Sequence, residues 1–229
     1  MTSRIFFTLR NQKAVDLKNT HMVNIPIALL SVALGHASIM PGVHWESFIH
    51  TQTIQETINT QANKSSGEQS MVYTENKVII DKMYIRLVNN RAYILNNNAT
   101  ALHNLLNLNL NITRNLVNKW IYLPKSFHQY AQIVAGLSMA TVVNELQMNG
   151  KVIKGKIATY NHQKAIPLSG SVPGSSIKQT VYLTDVKAPL PIAVVDQEGT
   201  NRSVTYFGPW KAAKIYTPLH YLVYSSHLK

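Results

Sequence analysis

The amino-acid sequence predicts an α+β fold in which a curved antiparallel sheet carries helices on one face. Three observations lead there. Short strand-like runs with turn punctuation occupy both the first and the last third of the chain, a helical section lies between them, and strands and helices do not alternate one for one as parallel β-α units require. The 229 residues are 45% hydrophobic and 14% charged, enough apolar material for a substantial core.

Residues 1 to 21 are mixed and mildly basic without a sustained period, so a poorly ordered extension over 1–25 is expected, with one domain over 26–229. The most apolar run, PIALLSVALGHASIMPG, predicts a helix from Pro26 to Met40. At about 22 Å it falls short of the roughly 30 Å of a hydrocarbon core, which argues against a span. It has a face: Ile27, Leu30, Leu34 and Ala37 form an apolar stripe, and Ala28, Ser31, Gly35 and Ser38 a small, polar one. Proline at the first position and Pro41-Gly42 beyond the end are helix punctuation. The upstream basic residues and the Gly-His-Ala step keep a secretion signal as the alternative.

VHWESFIHTQT reads as a strand, and the polar QETINTQANKSSGEQ as a connecting hairpin loop. Strands follow in SMVYT, KVIIDKMYIRLV and AYIL. In KMYIRLV, Met83, Ile85 and Leu87 share one face and Tyr84 and Arg86 the other, and Asn89-Asn90 is a turn tolerant of positive φ. ATALHNLLNL predicts a short helix and KWIYLP an extended segment closed by proline. Ser126 is the expected N-cap of a helix through Phe127, Tyr130 and Val134, broken near Gly136. Ser138 caps another, with Met139, Val142, Val143 and Leu146 as its stripe. KVIKGKIATYN, KAIPLSG, SIKQTVYLT, LPIAVVDQ, SVTYFG and KIYTP are the C-terminal strands, with Ile177, Val181 and Leu183 on one face and Ile192 and Val194 on another. No repeat of fixed period is present.

Lys and Arg total 22 against 10 Asp and Glu, a net charge of +12, but the basic residues are scattered and only KVIKGK is dense. No basic run interleaved with aromatics is present, so nucleic-acid binding is not expected. The chain has no cysteine, which removes disulfides, thiolate metal sites, cysteine nucleophiles and cysteine-borne lipid. No G-x-S-x-G, H-E-x-x-H, phosphate-cradling loop or dinucleotide fingerprint occurs, so neither an enzyme nor a cofactor is expected. His44, Glu46 and His50 share a strand face, yet six residues of strand put the two histidines roughly 20 Å apart, too far for one metal ion. His103, His128, His162 and His220 are isolated, Trp45, Trp120 and Trp210 read as core or rim packing, and the sequons at Asn63, Asn98, Asn111 and Asn201 as incidental to an Asn-rich composition.

Five marks occur in order: the ALLSVAL helix leading into Val43-His44, Y-I-x-x-x-N-A-x-A-L at Tyr93 to Leu102, N-K-W-I at Asn118 to Ile121, A-P-L-P-x-x-V at Ala188 to Val194, and F-x-x-W at Phe207 to Trp210. In this order the chain, over residues 27 to 218, resembles the LolA-like and LppX/LprG-like envelope proteins, mostly lipoproteins, of actinobacteria and their neighbours. Asn118 stands where that family usually has glycine, Ala188 where it has leucine, and no lipobox cysteine precedes the first helix. The resemblance implies a half-barrel sheet wrapped over helices, an apolar cavity between them that accepts acyl chains, and work outside the cytoplasm. The expected function is therefore a non-catalytic, extracytoplasmic lipid- or hydrophobic-ligand-binding domain. Its expected lining is Ile85 and Leu87 from the early strands, Ile133, Leu137, Val142 and Leu146 from the helices, and Val181 and Leu183 from the late strands. A basic rim with Lys154 and Lys156 is expected to meet anionic headgroups. The alternative is a structural or interaction module of the cell envelope with a filled core and no ligand.

Overall fold

The computed structural model describes residues 25–51 and 53–224, and the expected extension over 1–25 lies almost wholly outside them. The first helix, α1 (Ile25–Ile39), leads into β1 (Gly42–His50), β2 (Ile54–Asn63), β3 (Gly67–Glu75), β4 (Val78–Val88) and β5 (Arg91–Asn96). The helical section comprises α2 (Ala99–Leu106), α3 (Leu110–Arg114), the short β6 (Ile121–Leu123), α4 (Tyr130–Gly136) and α5 (Met139–Glu145). Strands then return as β7 (Asn149–Lys154), β8 (Ala158–Tyr160), β9 (Gln163–Ser171), β10 (Lys178–Thr184), β11 (Pro191–Glu198), β12 (Asn201–Phe207) and β13 (Leu222–Val223). The fold is α+β, as the sequence predicts. No helix among the described residues is long and apolar enough to cross a membrane.

The strands form one open, curled sheet in the order β13-β6-β5-β4-β3-β2-β1-β12-β11-β10-β9-β7, with β8 paired to β9. Every pairing is antiparallel except β13 on β6. Two meanders meet at β1 and β12, where Trp45 lies opposite Phe207 and Ser47 opposite Thr205. Because residues directly opposite share a face, the register carries one face across the sheet. It runs through Val43 and Ala62, Ile58 and Met71, Gln69 and Ile85, Gly67 and Leu87, and Ile94 and Ile121. On the other meander it runs through Phe207, Thr205, Val194, Val181 and Leu168.

That inner face carries the helices. Helix α1 buries Leu30, Ala33, Leu34 and Ala37, while Ala28, Ser31, Gly35 and Ser38 are exposed, so the stripe lies where its spacing puts it. Met83, Ile85 and Leu87 are buried, with Tyr84 exposed and Arg86 half-buried opposite. Asn89 and Asn90 turn at φ 50° and 59°. Asn98 caps α2, its side-chain oxygen accepting from the backbone N–H groups of Thr100 and Ala101. Asn118 has φ 60°, a left-handed conformation that asparagine tolerates better than other residues with a Cβ.

Three expectations are corrected. QETINTQAN is not a loop but most of the ten-residue β2, paired along its length with β1 on one side and β3 on the other. Two full ladders outweigh its polar composition, and Ile58, Thr60 and Ala62 face inward. Helix α4 begins at Tyr130 with Gln129 at its N-cap, not at Ser126, because turns closed by Phe127 N–H to Pro124 and Tyr130 N–H to Phe127 occupy the preceding residues. KIYTP is not a strand. It belongs to a strap tied at Ala213 by Asn63, whose amide nitrogen donates to the Ala213 carbonyl at 2.7 Å and whose amide oxygen accepts from the Ala213 N–H at 2.8 Å. The strap hydrogen-bonds the sheet again at β13, where the Leu222 N–H donates to the Trp120 carbonyl.

Candidate functional site

The inner face supports two apolar clusters. Ala62, Val43, Trp45, Val152, Ile166, Leu168, Val181, Leu183, Val194 and Phe207 pack with Leu30, Ala33 and Leu34 of α1 and Met139 and Val142 of α5. Met71, Met83, Ile85, Leu87, Ala92, Ile94, Ile121 and Leu123 pack with Leu102, Leu105 and Leu106 of α2 and Ile133 of α4. Helix α1 lies against β7, β11 and α5, and α2 and α4 lie against β5. The helices therefore sit over the two wings of a continuous sheet.

The eight expected lining residues all point inward and all are less than 10% exposed. They divide evenly: Ile85, Leu87, Ile133 and Leu137 belong to the β3–β6 wing, and Val142, Leu146, Val181 and Leu183 to the β7–β12 wing. Gly67 sits between, and a Cβ there would lie 2.8 Å from the Leu137 Cβ and 2.9 Å from its carbonyl oxygen. Leu137, where α4 gives way to α5, thus rests directly on strand backbone.

Between and beyond the helices the inner face turns polar. Thr60 and Gln69 are buried side by side, the Gln69 amide donating to the Thr60 hydroxyl at 3.0 Å, and Ser47 shares a hydrogen bond with Thr205 at 2.8 Å across the seam. Glu56, Tyr73 and Asp81 occupy one cross-strand row, facing Ile49 on β1. Burial raises the pKa of Glu56, with the neighbouring Tyr73 hydroxyl drawing it partly back. Burial also raises Asp81, offset by the Asn96 side chain and the Lys82 backbone. The Tyr73 hydroxyl is pushed up by burial and then by the charge of Glu56. Gln69 Oε1 and Asp81 Oδ1 are buried acceptors with no donor among the described residues. No spacing rule in the sequence singles out this row, because its members lie on three strands, one of them read as a loop.

The motif segments also meet. The Trp210 indole N–H donates to the Pro191 carbonyl at 3.0 Å, joining F-x-x-W to A-P-L-P-x-x-V. Trp45 is buried in the β7–β12 core cluster and Trp210 packs against it, whereas Trp120 lies under the Arg86 guanidinium, 4.8 Å from ring centre to Cζ. His44, Glu46 and His50 lie on the outer face of β1, on the strand the sequence predicts.

No protein-family model matches the sequence, and no curated relative is similar to it. Among solved structures, LprF from Mycobacterium bovis is similar over 85% of this chain and 96% of its own, with a TM-score of 0.57 at 9% identity. The Mycobacterium tuberculosis lipoprotein LppX is similar over 85% of this chain and 99% of its own, with a TM-score of 0.52 at 10% identity. The chain has the LprF and LppX fold. At these identities the likeness establishes architecture, which is the architecture the five ordered sequence marks imply.

Proposed function

We propose that this chain binds a lipid or another hydrophobic molecule outside the cytoplasm, between the sheet and its helices, without performing chemistry on it. The observation that carries the reading is the division of one continuous inner face into two separate apolar clusters. A sheet of this extent ordinarily organises one contiguous core. An acyl chain laid across the central strands would join the two, touching Ile85, Leu87, Ile133 and Leu137 on one side and Val142, Leu146, Val181 and Leu183 on the other. Each methylene removed from water contributes about 0.8 kcal/mol, so about a dozen carbons suffice for stable retention with no strong polar contact. Ile58, Tyr73 and Val143, half-buried at the margins of the clusters, are the apolar surface first met by such a guest.

The segment KVIKGKI adds a route to the membrane. Lys151, Lys154 and Lys156 are exposed beside Ile153 and Ile157, themselves 57% and 52% exposed. Cations interleaved with free aliphatic side chains suit shallow contact with anionic headgroups, an attraction that salt weakens. The likeness to a mycobacterial lipoprotein supports an envelope setting.

Organic-solvent extraction of the purified full chain followed by mass spectrometry tests the reading. The expected result is a co-purifying lipid, together with saturable binding of an apolar fluorophore that the extracted lipid displaces. The other reading, an interaction module with a filled core, draws on the near-complete burial of the eight residues in packed clusters. Absence of both extracted lipid and fluorophore binding decides for it.

A further inference from the structure

A recess lies on the opposite face of the sheet, and it sets cationic and amide groups beside apolar side chains. Arg86 alternates with Ile85 and Leu87 along β4 and so points outward, cross-strand from Glu68. The strap that follows β12 passes over this outer face, held at one end by Asn63 and at the other by β13. At the β13 end Tyr221 packs edge-on against Tyr93, ring centres 5.1 Å apart, and against Tyr122 at 6.3 Å. Between sheet and strap is an open groove of about 900 Å³, lined on the sheet side by Arg86, Asn118, Lys119 and Trp120, and on the strap side by residues 216–222. This is within the range of small-molecule sites.

We propose that this groove binds an anionic amphiphile, a phosphate or carboxylate carried on an alkyl chain. The chemistry of the walls is one-sided. None of the lining residues is acidic, and Arg86, Lys119, His220 and Asn118 bring N–H donors. The Arg86 guanidinium is already positioned: its Nε donates to Glu68 Oε2 at 2.6 Å and its Cζ lies over the Trp120 ring, 4.8 Å from its centre. Among the described residues its Nη groups make no hydrogen bond to protein, which leaves the planar fork that pairs with a carboxylate or phosphate. Trp120, Tyr216, Leu219 and Leu222 supply the apolar walls, and Leu219 is 95% exposed and Tyr216 67%, apolar surface that a bound chain would cover. The site is independent of any ligand on the inner face, since the sheet itself separates the two.

The test is titration of the full chain with octyl phosphate, inorganic phosphate and octanol, read by calorimetry and by tryptophan fluorescence. Octyl phosphate is expected to bind and to shift the fluorescence, the shift disappearing in Trp120→Phe. Arg86→Gln is expected to weaken binding by about tenfold or more. Lys119→Gln, at an exposed position where folding is not at stake, is expected to weaken it about two- to fivefold. Octanol binding as tightly as octyl phosphate overturns the anion recognition, and inorganic phosphate binding as tightly overturns the amphiphile in favour of a free-anion site. Octyl phosphate that binds Lys119→Gln and Leu219→Ser as it binds the unmodified chain, or does not bind at all, overturns the site. None of these outcomes depends on lipid extraction, so this proposal and the inner-face ligand fail separately.

Discussion

The two wings of the sheet bury similar apolar faces with parts of the chain drawn from different distances. The β3–β6 wing takes its cover from α2, which lies between β5 and β6, and α4, which follows β6, so its core closes within residues 58–137 apart from Tyr224. The β7–β12 wing takes α5 from just before β7, but also α1, which precedes every strand and packs against β11 more than 150 residues later. Closing the second core therefore orders a much longer loop, which costs more entropy and slows formation. Small residues compensate: Ala33 and Ala37 are fully buried, which lets the α1 backbone come close to its neighbours.

The largest effects should separate the wings. Leu123→Ala and Leu168→Ala each remove a fully buried side chain, from β6 and β9, and each is expected to cost about 2–5 kcal/mol in denaturant unfolding. If the clusters are energetically distinct, native-state hydrogen exchange will quicken mainly in β4–β6 for the first and in β9–β11 and α1 for the second. Equal loss of protection in both wings for both variants would show a single cooperative core and remove the comparison.

The junction between the wings is open to a smaller, signed test. Gly67→Ala drives a methyl group against the backbone oxygen and Cβ of Leu137, and the strand cannot yield without moving α4, so a loss of about 1–3 kcal/mol is expected. Gly35→Ala is the counterpart. Gly35 is exposed in α1 with open space around its missing Cβ, and alanine there should stabilise by up to about 1 kcal/mol. Melting temperatures moving in opposite directions bear out this contrast, whereas a neutral Gly67→Ala would mean that Leu137 is free to lift from the sheet.

These contrasts also mark what is legible in the sequence. The face of α1, the alternation in β4, the Asn89-Asn90 turn and the order of strands and helices follow from local periodicity, and the structure keeps them. β2 is hidden because only Ile58 and Ala62 of its inward positions from Glu56 to Ala62 are apolar, so no period of two emerges, and its stability comes from backbone ladders on both edges. KIYTP carries strand-forming residues, but its upstream anchor is the Asn63 side chain instead of a strand edge, a partner 150 residues away. The eight inward residues are recognisable as core, yet nothing local assigns four to each wing. That assignment depends on the β1–β12 seam, whose register joins residues more than 150 positions apart. Arg86 left a partial signal, an outward charge opposite two buried aliphatics, while its neighbour Trp120 is brought in by β6 beyond the intervening β5.

The smallest expected effect concerns the polar row that crosses β2, β3 and β4. Glu56 faces Tyr73, with Asp81 beyond it and Asn96 beside Asp81. Burial holds the Glu56 carboxyl above its ordinary pKa, so between the unfolded and folded values the native state binds more protons than the unfolded chain. Stability contributed by this group is therefore complete below the ordinary carboxylate range and declines as pH rises through the raised value. At neutral pH the residue is a net cost. Glu56→Gln keeps the shape and removes the charge, and it should raise the melting temperature at neutral pH, by less than about 1 kcal/mol or roughly 2–4 °C for a chain of this size. The gain should vanish in acid, where the native carboxyl is protonated as well. A variant less stable at neutral pH would mean that the Tyr73 contact outweighs desolvation, and a pH-independent difference would mean that the row is solvated in the native protein, which would place the inner face at β2–β4 in water and confine burial to the two helix-covered wings.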